Sequence, residues 1–211
     1  MSTFLSTAYL APIEYYSKLL KGDVYIEQYE NYIKQTYRNR CTILSANGPM
    51  ALSVPIESAG GKKCAIRDVR MADHGNWRHL HWNALISAYN STPFFEYYQD
   101  EFRPFYENEY RYLFDFNEDL RSLICQLIDI DTSRIKYTGE FLLEVEGEDY
   151  RSKISPKVDW KLNDPDFESV PYYQVFDHRF GFTENLSILD LLFNMGNESL
   201  LVLSKSIKKT S

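Results

Sequence analysis

The segment FLSTAYLAPIEYYSKLLKGDVYI, residues 4–26, decides the class of fold. Residues 4–9 are apolar and compatible with a β-strand, and Pro12 opens a predicted helix over 13–21, because proline is favoured in the first turn of a helix. Residues 23–26 then favour a second strand. A strand, a helix and a strand in this order predict a parallel pair joined by a right-handed crossover.

An antiparallel hairpin is predicted next. Segments 32–44 and 51–56 are rich in β-compatible residues, and the turn sequence Ala46-Asn47-Gly48-Pro49 separates them. Residues 66–71 favour a further strand. The Gly-Gly-Lys-Lys stretch at 60–63 has a composition suited to a phosphate cradle, but it lacks the length and helix entry of a P-loop, so a hairpin loop is the simpler interpretation.

The middle and C-terminal parts favour helices. Residues 94–116 hold eleven aromatic side chains in 23 positions, and Pro104 is expected to break or kink a helix there. Residues 134–145 are β-like, whereas 146–171 are polar and predict an irregular surface excursion. Helices are predicted over 76–89, from an Asn117 cap to 128, over 186–195, and over 198–207.

These elements predict a three-layer α/β fold in a single domain, residues 1–211. Its sheet is mainly parallel near the N-terminus, in a Rossmann-like arrangement of the nucleotidyl-transferase type, with an antiparallel hairpin beside it. At 211 residues, of which 44% are hydrophobic, the chain has the length and composition to bury a core. The sequence contains no internal repeat or low-complexity tract.

Charge and cysteine usage restrict the partners and the compartment. The net charge of −7 repels polyanions, so we expect no binding to polymeric nucleic acid, although a local basic strip can still hold one small anion. Cys41, Cys64 and Cys125 lack any zinc or redox spacing, which favours free thiols in a reducing compartment. With no leader-like or membrane-spanning segment in the sequence, we expect a cytoplasmic protein.

Three of the four histidines lie within residues 74–81. His79 and His81 point about 200° apart on a helix, so they cannot share a metal ion, and we expect no metal site. His81 is the candidate acid/base, because Trp77 and Trp82 can desolvate its imidazole. The alternative is a core histidine whose ring is satisfied by a neighbouring backbone group.

A basic segment follows the second predicted strand. Lys34, Gln35, Arg38 and Arg40 lie where ligands settle in open α/β sheets, and the planar fork of arginine grips phosphate or carboxylate in two places. An anionic ligand is one interpretation. Alternation on a solvent-facing hairpin explains the same residues without a ligand.

Asp190 interrupts an apolar run over residues 186–193. A carboxylate is costly to bury unless it is paired. The side chain therefore either faces solvent or meets a partner such as an arginine or His178, and both possibilities stay open.

Three stretches of the sequence form a pattern: Tyr9-Leu10-Ala11-Pro12 with residues 32–40, then Trp77, His81, Tyr89 and Pro93-Phe94-Phe95, and finally residues 173–176 and 185–194. Together they resemble the WbqC-like protein family. Many members carry a Gln-Pro pair before the first helix, where this chain has Ala8-Tyr9-Leu10-Ala11-Pro12. The resemblance implies a role among bacterial O-antigen and surface-polysaccharide proteins, one branch of which is linked to glycine transfer. It also implies these site positions: Pro12, Gln35, Asn39, Arg40, His81, Tyr89 and Pro93.

Two hypotheses are consistent with these residues. In the first, the protein is a transferase in which Arg38 and Arg40 hold an anionic donor, a nucleotide or an activated amino acid, while His81 acts as base and Tyr89 orients the acceptor. Trp77, Lys34 and Asp190 complete the predicted substrate site. In the second, the protein is a non-catalytic partner in a polysaccharide-assembly complex, with the aromatic segment 94–116 as its surface. The sequence identifies no cofactor, and a homo-oligomer is possible.

Overall fold

Two sheets form the β structure in the computed structural model, which describes residues 2–57, 60 and 63–208. The strands are β1 (Ser2–Ser6), β2 (Val24–Glu27), β3 (Arg40–Ser45), β4 (Gly48–Ser53), β5 (Ile135–Tyr137) and β6 (Gly147–Asp149). The first sheet is parallel and has the order β5-β2-β1-β6, and the second is the antiparallel pair β3-β4. The predicted α/β class, with a parallel sheet near the N-terminus and a hairpin, is confirmed.

The helices occupy the rest of the chain. They are α1 (Ile13–Leu19), α2 (Trp77–Tyr89), α3 (Phe95–Glu107), α4 (Leu113–Ile128), α5 (Trp160–Asn163), α6 (Asp177–Phe180), α7 (Ile188–Met195) and α8 (Ser199–Lys205). α1 packs against α7 and α8, and α2 packs against β3 and α3. Among the described residues, no helix combines the length and the apolar character needed to cross a bilayer.

The N-terminal unit forms as the sequence predicts. Pro12 occupies the N-cap position of α1, and its backbone is extended, with a ψ of 163°. β1 and β2 pair in parallel, with Thr3 opposite Val24 and Ser6 opposite Glu27.

The other edge of β1 carries β6, which lies inside the segment 146–171 that was predicted to be irregular. That prediction is wrong for Gly147–Asp149, which pairs with the first residues of β1, and for the short helix α5. If the four strands of this sheet are numbered in the order in which they occur along the chain, their order across the sheet is 3-2-1-4. This is the start of the Rossmann order, and the direction of strand addition reverses between β1 and β6.

The predicted hairpin is confirmed, with Ser45 opposite Gly48 and a turn at Ala46 and Asn47, but its first strand begins at Arg40 rather than near residue 32. The next prediction is wrong, because Ile66–Asp68 is a 3-10 helix. Residues 70 and 71 form isolated bridges rather than a strand: Arg70 pairs with Tyr112, and Met71 pairs with Ile56. Two residues of the predicted loop at 60–63, Gly61 and Lys62, lie outside the described residues.

Two predicted helix boundaries also change. α3 continues through Pro104, which is exposed, so the carbonyl that loses its helical partner belongs to an exposed turn. α4 begins at Leu113 rather than after Asn117, because Leu113 is buried and its backbone N–H donates to the carbonyl of Val69. Asn117 lies inside the helix, and its Nδ2 donates to the carbonyl of Arg38.

Candidate functional site

An open pocket of about 260 Å³ lies between the segment that enters β3 and the end of β4. Lys34 and Arg40 bring two positive charges to it, and Gln35 and Asn39 bring two amides. No lining residue is acidic. The complete lining is Tyr32, Lys34, Gln35, Asn39, Arg40, Ser53 and Ile56. Such a set of donors suits an anionic ligand.

Local hydrogen bonds hold the wall of this pocket in place. Gln35 has a φ of 59°, which reverses the chain, and the hydroxyl of Thr36 donates to the carbonyl of Ile33 at 2.8 Å. Asn39 is tied to the residue after β4, because its Nδ2 donates to the carbonyl of Val54 at 2.8 Å. The N–H of Val54 returns a bond to the carbonyl of Asn39, also at 2.8 Å. The pocket is therefore built on backbone that the hairpin fixes.

The two cationic side chains of the pocket have no carboxylate partner among the residues that the structure describes. Within the described part of the chain, the buried Nε of Arg40 also has no hydrogen-bond partner. A third positive charge is close, because Nζ of Lys157 donates to the carbonyl of Lys34 at 3.0 Å.

Arg38 does not reach this pocket. Its side chain is 4% exposed, and its guanidinium pairs with Glu30 through two contacts, Nε to Oε1 at 2.8 Å and Nη2 to Oε2 at 2.6 Å. Nη2 also donates to the hydroxyl of Ser6 at 2.7 Å. The sequence analysis expected Arg38 and Arg40 to bind the same ligand, but the structure places their side chains at different sites.

The Arg38 pair lies beside the reversal point between β1 and β6, where open α/β sheets commonly bind ligands. In this protein, charged side chains occupy that position. Arg151 pairs with Glu27 at 3.2 Å and with Asp149 at 2.7 Å, and Ser6 donates to the carbonyl of Arg151. The remaining cavity has a volume of about 10 Å³, room for roughly one water molecule.

His81 lies in the core and does not line the pocket. Its Nδ1 is 2.9 Å from the hydroxyl of Tyr9, and the edge of Trp77 packs on its ring with centroids 5.1 Å apart. Burial lowers the pKa of His81 to about 4, and a contact with the backbone of Ser53 offsets part of this effect. Ser53 thus links His81 to the pocket wall. At neutral pH the imidazole is uncharged.

Tyr89 and Asp190 meet in a different part of the core. Asp190 accepts hydrogen bonds at Oδ2 from the hydroxyl of Tyr172 at 2.7 Å and from Nε2 of Gln174 at 2.9 Å. Burial raises the pKa of Asp190 to about 6, while the hydrogen bonds from Tyr172 and Gln174 lower it in part. Burial, followed by the charge of Asp190, raises the pKa of Tyr89. Asp190 is thus buried with partners.

The remaining predicted site residues also lie away from the pocket. Pro12 is buried and forms an isolated bridge with Ser187, Trp77 is buried against His81, and Pro93 is exposed between α2 and α3. The pocket residues that sequence reasoning missed are Tyr32, Ser53 and Ile56. Ser53 and Ile56 reach it through the hairpin, and only the pairing of β3 with β4 could have indicated them.

A second buried cluster is ionisable. Lys18 pairs with Asp164 at 2.5 Å, and both side chains are fully buried. Glu14 lies beside this pair and accepts from Nδ2 of Asn185 at 3.0 Å. Burial raises the pKa of Glu14 to about 8, an effect that Asn185 opposes and Asp164 adds to.

Metal-binding side chains and cysteine thiols are two other potential sources of reactivity. No group of three or more His, Cys, Asp or Glu side chains that could hold a metal ion occurs among residues 2–57, 60 and 63–208. All three cysteines are free, and burial raises the pKa of Cys41 and Cys125. Buried thiols of raised pKa are poor nucleophiles.

The fold and the pocket together define an α/β protein with an open pocket lined by Lys34 and Arg40. The model of the WbqC-like protein family matches residues 7–159, a span that contains every residue of the pocket, and the chain belongs to this family. It is also similar to the uncharacterized protein Rv1507c of Mycobacterium tuberculosis (strain ATCC 25618 / H37Rv), with 28% identity over an alignment covering 80% of this chain and 81% of that protein. No solved structure matches the chain.

Proposed function

We propose that this protein is a transferase of bacterial surface-polysaccharide biosynthesis that binds an anionic donor, a nucleotide or an activated amino acid such as glycine. One observation carries the proposal. Four residues singled out from the sequence, Lys34, Gln35, Asn39 and Arg40, line a single pocket whose two cations have no carboxylate partner among the described residues. Membership of the WbqC-like family supports the biological setting.

The proposed chemistry is positioning and charge stabilisation. Lys34 and Arg40 hold the anionic group of the donor and offset the negative charge that its leaving group gains when the acceptor attacks. Preorganised charges of this kind commonly supply the largest part of a rate enhancement. The acceptor is a sugar amine or hydroxyl. The lining of the pocket has no acidic or histidine side chain to serve as base, so the proton of the acceptor passes to solvent.

Isothermal titration with nucleotide sugars and with aminoacyl adenylate analogues tests the proposal. We expect at least one class to bind, and Arg40→Gln to weaken that binding about tenfold or more, because a hydrogen bond to a charged group contributes roughly 1.5–3 kcal/mol. Arg134→Gln is the matched control, since Arg134 is exposed next to β5. Folded protein that binds neither class would count against the proposal.

The alternative hypothesis of an aromatic docking surface loses its basis. All eleven aromatic residues of segment 94–116 are described, and of these only Tyr97 is exposed, at 78%. Nine of the others pack into the core or against it, and Tyr112 is half-buried. The contiguous exposed patch that this hypothesis requires is not formed by this segment.

Two further properties belong to the proposal. We propose that residues 1–211 act as one domain, which is supported by a buried apolar cluster drawn from Leu5 to Leu203. We place the protein in the cytoplasm, which is supported by its three free cysteines, because disulfides are rare in reducing compartments. Assembly into a homo-oligomer stays a prediction.

A further inference from the structure

We infer that the pocket formed by Lys34, Gln35, Asn39 and Arg40 takes a phosphate or diphosphate group of the donor, and that it discriminates against a free amino acid. This inference rests on the proposed function and narrows the class of donor. The charge, the hydrogen-bond donors, the volume and the apolar wall of the pocket support it.

The charge of the pocket favours a dianion. Lys34 and Arg40 line it, no lining residue is acidic, and Lys157 adds a third cation at the carbonyl of Lys34. A single carboxylate leaves at least one of these charges uncompensated, whereas a diphosphate carries a negative charge on each of its phosphates at neutral pH. This local excess of cations occurs in a chain whose net charge is −7.

The hydrogen-bond donors of the pocket also exceed what a carboxylate can use. Arg40 contributes a guanidinium group with several N–H donors, and Lys34 contributes an ammonium group. The exposed amide of Gln35 adds a further donor. A diphosphate presents more acceptor oxygens than a carboxylate, and arginine meets two of them in parallel.

The same lining disfavours a zwitterion. The ammonium group of free glycine would enter a site that has two cationic side chains and no carboxylate to pair with it. Like charges close together in a partly desolvated site repel each other. When a free amino acid binds, the attraction of its carboxylate is therefore offset by the repulsion of its ammonium group.

The pocket has room for a phosphorylated head group and an apolar wall for the adjoining part of the donor. Its volume of about 260 Å³ lies just below the roughly 300–1,000 Å³ typical of small-molecule sites, so the rest of the donor extends outside. Tyr32 and Ile56 are half-buried in the wall and offer apolar surface to a ring or sugar next to the phosphate.

Isothermal titration with four probes tests the inference: inorganic pyrophosphate, uridine diphosphate, acetate and glycine. We expect the two phosphates to bind and the two carboxylates to bind at least tenfold more weakly. Lys34→Gln and Arg40→Gln should each weaken phosphate binding about tenfold, because each removes a charge-assisted contact. Arg40→Lys should recover only part of the loss, since lysine keeps the charge without the fork. Arg134→Gln should bind like the wild type.

The outcomes separate this inference from the proposed function. Acetate or glycine binding as tightly as pyrophosphate, with the same dependence on Arg40, would overturn the phosphate assignment and leave the anion site in place. Equal weakening by Arg40→Gln and Arg134→Gln would place the phosphate elsewhere on the protein. Failure of folded wild-type protein to bind any of the four probes, or any nucleotide sugar or adenylate analogue, would overturn both proposals.

Discussion

Nδ1 of His81 lies 2.9 Å from the hydroxyl oxygen of Tyr9, and that hydroxyl lies 3.0 Å from the hydroxyl of Tyr106. This contact joins α2, α3 and the segment after β1 inside the core. The buried imidazole has a pKa of about 4, whereas histidine in an unfolded chain titrates near 6.5. As the pH falls from 6.5 to 4, the unfolded state takes up a proton that the folded state does not.

The contribution of His81 to stability should therefore be complete above pH 6.5 and be lost as the pH falls toward 4, by up to about 1.4 kcal/mol per pH unit. Urea unfolding at pH 7, 5.5 and 4 measures this loss as the difference in unfolding free energy between wild type and His81→Gln. That difference should shrink with acidification. The exposed His79 is the control, and His79→Gln should not alter the slope. A difference that stays constant with pH would contradict the expectation.

Glu14 should give a pH dependence of opposite sign. Its folded pKa of about 8 exceeds the unfolded value near 4.3, so the folded state binds the extra proton between these values. Stability falls as the pH rises through this window and levels off above it. Glu14→Gln keeps an acceptor for Asn185 and removes the charge, so we expect its melting temperature to rise relative to wild type from pH 5 to pH 9. Differential scanning fluorimetry measures this shift, and Glu96→Gln, on the exposed face of α3, should show none.

Removing only one partner of the buried ion pair between Arg38 and Glu30 should strongly lower the free energy of unfolding. Arg38→Met leaves the Glu30 carboxylate buried and unpaired, and we expect a loss of about 3–5 kcal/mol in the free energy of unfolding. Adding Glu30→Leu should recover part of that loss, which a double-mutant cycle in urea measures. The control is Arg67→Met, since Arg67 and Asp68 are 43% and 66% exposed, and it should cost less than about 1 kcal/mol. Additive single losses would refute the coupling.

Gly147 should not tolerate a side chain. A Cβ at this position would lie 2.2 Å from the carbonyl oxygen of Ser2, so Gly147→Ala must push β6 away from β1. We expect a loss of about 2 kcal/mol or more in thermal or urea unfolding, as for other overpacked sites. Gly139→Ala is the matched substitution in open space, with nothing within 4 Å of its Cβ. Equal stability of the two variants would show that β6 does not approach β1 this closely.

Local signals predicted much of the fold. The β1-α1-β2 unit and the β3-β4 hairpin were predictable, because a proline at the helix start and an Asn-Gly turn act within a few residues. β6 was not predictable, since Gly147-Glu148-Asp149 has no apolar side chain and becomes a strand only through pairing with β1. Its extended shape is imposed by tertiary contact, which overrides β propensity.

The site shows the same division. Lys34, Gln35, Asn39 and Arg40 are close in sequence, and a local argument brought them together. Arg38 lies between them but turns to Glu30, and no spacing rule indicates a carboxylate eight residues upstream as its partner. For His81 the sequence analysis included the core position that the structure shows. For Asp190 it named an arginine or His178 as a possible partner, whereas the partners are Tyr172 and Gln174.

The pairing of β1 on both edges has a consequence for synthesis of the chain. β2 can join β1 as soon as the first 27 residues are available, but the opposite edge waits for residues 147–149. Until then a growing polypeptide presents a bare row of N–H and C=O groups, a template for adhesion to another nascent copy. Fragments that stop short of Gly147 should therefore aggregate, whereas longer ones can seal that edge.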